Sequence, residues 1–495
     1  MDFKKFLKNH WLIIIILFFA SLVRFWRVGD FTTFAGDQGI DFLIVKRMLV
    51  NGEFTLLGPK IGTFSDIAII YLGPIYYYMI APFLLLFNFD PIGPAVFISF
   101  LSVLTIIVIY LIGLVFFNKI VGIIASIIFA VSVPIVNEAR VALNPNPEPF
   151  FSAVLIFALF KISIKNSKKL IWPILCGMSS GILFQLHYLT ASLILLSVLL
   201  LLKNRYFQKL TVLTAAFFIT ISPQILFELR HGFFLSIQIL TRIRSKEDIS
   251  SFSTFAQNLH RSIELISSLI FNYENYYVGL VVISLMMIFF IQKNKYIKPY
   301  IFLVTSVLIS IFAASIYSLD PQLHYFTHIY VGLTLIVASI LYLSMNYFKN
   351  KIAIIFFLIF VVFIIILNIA NLDLNRAEGY TMPKGWNLTG VKKASEIVAN
   401  DISYGTKFNI AATLDGDTRA RPYRYLVEVY GKIPLGVEYY PEADILYLMS
   451  RDKKNEILNY SVWEVASFKP FKFENEWHIQ NGITLYKLSK DKVTL

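Results

Sequence analysis

The chain has 495 residues, 57% of them hydrophobic and 16% aromatic, and a mean hydropathy of +0.68. A soluble domain has too little interior to hide that much apolar surface, so composition excludes an ordinary soluble protein. The net charge of +13 does not argue for nucleic acid, because the Lys and Arg residues fall mostly in short clusters between apolar runs, as the positive-inside rule requires.

Residues 1–10 carry Lys4, Lys5 and Lys8 and precede an apolar run over 11–23. Arg24, Trp26 and Arg27 stand where a small-residue cleavage site would be needed, so the run reads as an uncleaved first helix with its N-terminus in the cytoplasm. A spanning helix needs about 20 apolar residues. Eleven segments are candidate spans, some of them shorter than that: 12–28, 95–117, 120–136, 150–164, 170–187, 189–202, 210–229, 277–291, 299–317, 326–347 and 352–370. A further apolar stretch, 67–87, contains Gly73-Pro74, Tyr76-Tyr77-Tyr78 and Pro82, which break a helix and favour the interface. Left uncounted, it puts Lys119, Lys161 to Lys169, Lys203 to Lys209, Lys293 to Lys298 and Lys349 with Lys351 all in the cytoplasm. Counted, it moves every one of those clusters to the other side. It is therefore expected to be a re-entrant or interfacial helix within a first external loop, 29–94.

The expected architecture is an α-helical polytopic protein of the plasma membrane, with a transmembrane domain over 1–370 and a small extracytoplasmic α/β domain over 371–495. In that tail, 391–401 reads as a helix, and 408–414, 445–449, 462–468 and 483–488 read as strands.

The external segments hold most of the polar residues that could do chemistry. Asp37 lies just beyond the first helix, between glycines, in Phe34-Ala35-Gly36-Asp37-Gln38-Gly39-Ile40-Asp41. A carboxylate at an apolar boundary can take a proton from a hydroxyl. On a helix Asp41 would share its face. The alternative is a helix cap or a solvated loop acid. Lys60, between Gly58-Pro59 and Gly62, can meet a phosphate or simply lipid headgroups. The second loop, 137–149, packs Glu138, Arg140, Asn144 and Asn146 among prolines that favour an extended chain, either presenting side chains to a cavity or forming a rigid turn. His187, Glu228 and Arg230 end their spans, and His324 and Tyr325 join two late ones. Amides and aromatics of this kind suit a sugar. No metal and no cofactor is assigned; the alternative is a two-histidine site for a divalent cation at His324 and His328, around which acidic partners are few. Cys176, the single cysteine, excludes an intramolecular disulfide and reads as a packing residue.

Several of these pieces together resemble the large integral-membrane glycosyltransferases of the GT-C fold, in particular the bacterial relatives of protein O-mannosyltransferases and the lipid A aminoarabinose transferase. They are Ala35-Gly36-Asp37-Gln38, Gly58-Pro59 leading to Tyr71-Leu72-Gly73-Pro74, and Glu138-Ala139-Arg140 with Asn144-Pro145-Asn146. Gln185-Leu186-His187-Tyr188 and Phe227-Glu228-Leu229-Arg230-His231 complete the set. The resemblance implies an inverting transfer of sugar from a polyprenyl-phosphate donor to a hydroxyl acceptor at the outer face, with membrane lipids and no nucleic acid as partners. It implies Asp37 as general base. Lys60 and Arg140 would be the phosphate-binding cations, and Asn144, Asn146, His187, Glu228, Arg230, His324 and Tyr325 would line the substrates. Many relatives have an Asp-Glu pair where this chain has Asp37-Gln38, which leaves Asp37 acting without its neighbour or with Asp41 or Glu138 in the supporting role. A transporter or flippase for lipid-linked glycan, a ligase moving a whole glycan, and a non-catalytic binder are the rivals. A transporter would place polar residues near mid-bilayer, whereas these gather at one face.

Overall fold

The computed structural model describes residues 3–61, 69–245, 251–291, 296–317, 319–348, 351–375, 386–414 and 416–491. All eleven expected spans are helical. Helix α1 (Phe3–Phe25) leads through a short turn, α2 (Val28–Phe31), to α3 (Gly36–Asn51), which carries Asp37. A two-stranded ladder, β1 (Lys60–Ile61) against β2 (Ile70–Tyr71), precedes α4 (Ile75–Leu86). Residues 67–68 of the expected interfacial stretch lie outside the described residues. Its helix is the 12-residue α4, about 18 Å long against a hydrocarbon core of about 30 Å.

The apolar helices continue as α5 (Ile92–Phe116), α6 (Lys119–Val131) extended by α7 (Val133–Glu138), α8 (Glu148–Ser163), α9 (Ile171–Leu186), α10 (Ala191–Lys203) and α11 (Phe207–Thr220). Next come α12 (Ser222–Arg230), α13 (Phe234–Ser245), α14 (Phe252–Phe271), α15 (Tyr276–Ile291), α16 (Ile297–Ile316), α17 (Tyr330–Phe348) and α18 (Lys351–Ala370). Among the described residues three helices are long and apolar enough to cross a bilayer, Ile92–Phe116, Ile297–Ile316 and Leu323–Met345. Two bent pairs and six shorter apolar helices accompany them. The expected span 210–229 is one of those pairs: α11 and α12 meet at 62°, at Pro223, which has no N–H for the preceding turn. The other is α14 with α15, at 82°. Helix α14 has its apolar residues on one face, so hydropathy alone does not mark it as a span.

A second break shows how the bundle compensates. Pro134 cannot donate to the Ala130 carbonyl, and the Val133 N–H is diverted to Asn368 Oδ1 at 3.1 Å. The freed carbonyls of Phe129 and Ala130 each accept from the fully buried Arg24 guanidinium at 3.1 Å, while Arg24 Nε donates to Ser102 Oγ at 2.8 Å. One arginine thus ties α1, α5 and α6 together.

The C-terminal unit is a four-stranded sheet in the order β3 (Phe408–Ala412), β4 (Ile445–Ser450), β6 (Ile483–Lys490), β5 (Phe471–Gln480). β3 and β4 are parallel and the other pairs antiparallel. Helices α19 (Leu388–Asp401) and α20 (Arg421–Val429) pack together, and α21 (Lys454–Ile457) and α22 (Trp463–Ala466) come after β4. The expected strand over 462–468 is α22 instead: Val465 and Phe468, three residues apart, are both buried, a helical and not an alternating spacing. The strand the sequence hid is β5, an edge strand that is polar because much of it is exposed, unlike the buried opposite edge β3.

The unit does not stand apart from the membrane helices. One continuous apolar core contains Phe34, Phe42, Val45 and Tyr77 of the first loop together with Trp386, Val391, Ile410 and Tyr425 of the tail.

Candidate active site

The site is built on the first turn of α3. Gln38 sets it. Its carbonyl accepts from the Ala35 N–H and its amide donates to the Thr33 carbonyl, both at 2.9 Å. A glutamate could make the first bond but not the second, so the departure from Asp-Glu to Asp-Gln has a structural use: Gln38 is committed to the backbone. Asp37, beside it, reaches solvent, while crowding by protein and the nearby Asp417 raise its carboxyl above the usual range and Arg421 opposes the shift. Burial is the largest of these effects.

Asp41 lies one turn on, as the spacing predicts, and is buried. Burial pushes its carboxyl up to about 8, a bond from Tyr77 Oη at 2.8 Å opposes this, and Asp37 adds to it. Both carboxyls are thus shifted in the direction that favours the protonated form, Asp41 the more deeply buried of the two.

Tyr77 also senses Tyr71 of β2, whose ladder partner is Lys60. Lys60 is exposed. Its hairpin is fastened by close backbone approach: a Cβ on Gly58 would meet the Gly73 carbonyl oxygen at 2.0 Å. Gly73 N–H donates to Gln185 O at 3.2 Å and Tyr188 Oη to Tyr71 O at 2.7 Å. Tyr188 in turn senses Gln224 and Glu228. The scattered motifs around residues 58, 73, 185 and 227 are therefore one connected patch.

The second loop closes another side. Thr32 Oγ1 donates to Arg140 O at 2.8 Å. The Arg140 side chain points inward and donates to Val23 O at 2.7 Å and Leu374 O at 3.2 Å, a fastening role. Asn146 donates to Glu138 O and Val141 O, and Asn144 to Leu186 O, so both amides shape the loop. Glu138 borders a small cavity with Asn146 and Thr327, and burial pushes its carboxyl up to about 7. His187 stands 5.5 Å from the Tyr325 ring and 6.4 Å from His324, and burial holds His324 down to about 4. Nearby, the buried Glu148 accepts from Thr327 Oγ1 at 2.6 Å, a pairing the sequence did not suggest. Glu228 accepts from Leu235 N at 2.7 Å and Ser236 N at 3.0 Å and so caps α13, while Arg230 is exposed. Those two are linked to Asp37 only through the tyrosine series. Among the described residues no group of three or more His, Cys, Asp and Glu could hold a metal ion.

The residues sequence reading missed are Asp417 and Arg421 of the tail, which lie against Gly36 and Gly39. Asp417, four residues before Arg421-Pro422, has the spacing of a helix start. That signal locates α20 without revealing what it touches.

Residues 72–227 match the model of the dolichyl-phosphate-mannose-protein mannosyltransferase family, a stretch that includes the hairpin's end, the second loop and Gln185 to Tyr188, but not Asp37. No curated protein sequence matches. Among solved structures, ArnT from Cupriavidus metallidurans in the apo state aligns with a TM-score of 0.58 and 10% identity over 98% of both chains. The same protein bound to undecaprenyl phosphate gives 0.56 and 9%, again over 98% of both. The Archaeoglobus fulgidus oligosaccharyltransferase tethered to an acceptor peptide containing the NVT sequon gives 0.54 and 12%, over 97% of this chain and 74% of that one. The chain is an integral membrane protein with the GT-C fold shared by these structures.

Proposed function

We propose that this protein transfers a sugar from a polyprenyl-phosphate donor to a hydroxyl acceptor at the outer face of the membrane. The observation that carries the reading is the acid pair Asp37–Asp41 at the start of α3, with Asp41 held by Tyr77 of α4 and the Lys60 ladder leading into that same helix. ArnT, which shares the fold, was crystallised with undecaprenyl phosphate, which supports a donor of that class.

The step is a displacement at the anomeric carbon. The acceptor oxygen forms the new bond as the bond to the phosphate oxygen breaks, with inversion. Asp37 carboxylate takes the hydroxyl proton. Asp41 is buried and bonded by Tyr77, which leaves the exposed Asp37 as the base. The lipid phosphate departs with its electron pair towards Lys60, the cation whose side chain is open to solvent. Arg140 and Glu138 support this indirectly by fixing the second loop against Thr32.

Asp37→Asn is the decisive variant. In lipid nanodiscs supplied with a panel of polyprenyl-phosphate monosaccharides, transfer should fall by about 10²- to 10⁴-fold, with donor binding retained. Wild-type turnover in that variant removes Asp37 from the mechanism. Donor binding without turnover by the wild-type protein, on any acceptor, removes the transferase reading.

A further inference from the structure

The tail meets the first loop at the point where Asp37 sits. A Cβ on Gly39 would lie 2.5 Å from the Arg421 backbone carbon, and one on Gly36 would lie 2.9 Å from Asp417 Cβ, Cγ and Oδ2. Nothing fits between the two surfaces, and only glycine at both positions allows the approach. The turn that arrives there is a rigid one. Ala420 adopts a left-handed conformation with φ 53°, and Asp417 Oδ2 accepts from the Arg421 N–H at 3.0 Å. Asp417 Oδ1 stands 3.7 Å from Arg421 Nε. α20 is then held along α3 by Lys46 and Arg47 on Glu428, at 3.1 and 3.5 Å. Tyr425 Oη donates to Phe89 O at 2.6 Å, and its ring lies edge-on to Phe34 and Phe42.

We propose that Arg421 is a positioning residue for Asp37: delivered by the C-terminal unit onto the glycine face of α3, its guanidinium biases the charge of the Asp37–Asp41 pair from beside Asp417. The proposal rests on the reading of Asp37 as the site's acid. The groups facing that pair are Asp41 on its own helix, Tyr76 and Tyr77 from α4, and Asp417 and Arg421 from the tail turn. Arg421 is the single cation in this set. It favours the ionised form of both acids, against burial and against Asp417. A purely architectural arginine, present only to stiffen the turn through Asp417, would leave the acids' titration where it is.

The experiment is a pH titration of the protonated-carboxyl infrared band of the full chain in nanodiscs, with Asp37→Asn and Asp41→Asn assigning the signals. Arg421→Gln, close in shape, should move the Asp37-dependent midpoint up by about one pH unit or more, and Arg421→Lys should restore most of that shift. Limited proteolysis of the tail in each variant checks that the unit remains docked. An unchanged midpoint in a docked Arg421→Gln protein, or no recovery with lysine, overturns the proposal. Because the band reports the carboxyls directly, it does not depend on sugar transfer. A wild-type protein without turnover would sink the transferase reading alone and leave this titration to decide the role of Arg421.

Discussion

Asp41 departs far from its ordinary chemistry. Its unfolded-state pKa is about 3.9, and burial raises the folded value to about 8. The folded protein therefore binds a proton there that the unfolded chain releases, a contribution fully present below about pH 4 and lost as pH rises through about 8. Asp41→Asn removes this dependence. Thermal unfolding of the two proteins between pH 4 and 9 should show the variant gaining on the wild type as pH rises to about 8, with a constant difference above it. A gap that does not change with pH would show that Asp41 titrates normally. Spacing made the Asp37–Asp41 pair legible in the sequence, because four residues is one helical turn. The glutamine between them could be read only as a departure from the family pattern. Its use became visible with the Thr33 carbonyl in place, since an amide can donate where a carboxylate cannot.

At the level of elements, the sheet unit and α3 meet through glycines. Gly39→Val would drive side-chain atoms into the Arg421 backbone. Overpacking of this kind costs about 1–3 kcal/mol, here charged to the docking of α20 and not to the membrane helices. The expected outcome is faster proteolysis of the tail with an unchanged melting transition for the bundle; equal protease resistance would show that the interface can yield. The sequence located every apolar helix because lipid-facing elements announce themselves by composition. It passed over α14 and β5, whose polar faces dilute the average, and it read 462–468 as a strand because a single turn of helix is too short to display its period. Breaks such as the one at Pro134 were visible as prolines, but their repair by Arg24 depends on a residue about 110 positions away.

For the molecule as a whole, the reading of sidedness puts the sheet unit and Asp37 on one face. Cys176 is fully buried and Tyr404 is 99% exposed, so Tyr404→Cys supplies a single reactive thiol. In cells with an intact cytoplasmic membrane, a membrane-impermeant maleimide added outside should label that variant and leave the wild type unlabelled. Labelling that requires lysis would invert the topology and the site with it. That reading rests on the lysine clusters between the helical segments, and the labelling tests it. The contact between the two ends of the chain was not legible in the sequence, because nothing local in either stretch specifies the other.

That contact also orders events during synthesis. Asp37 and Arg421 are about 380 residues apart, so at about 5–20 residues per second they leave the ribosome roughly 20–80 s apart. Through that interval the nascent chain holds its acid pair without its cation, and the glycine face of α3 has no cover. The contact thus forms last, with the docking of the final quarter of the polypeptide, so a chain stalled or clipped before residue 421 would hold its apolar helices and leave Gly36 and Gly39 uncovered.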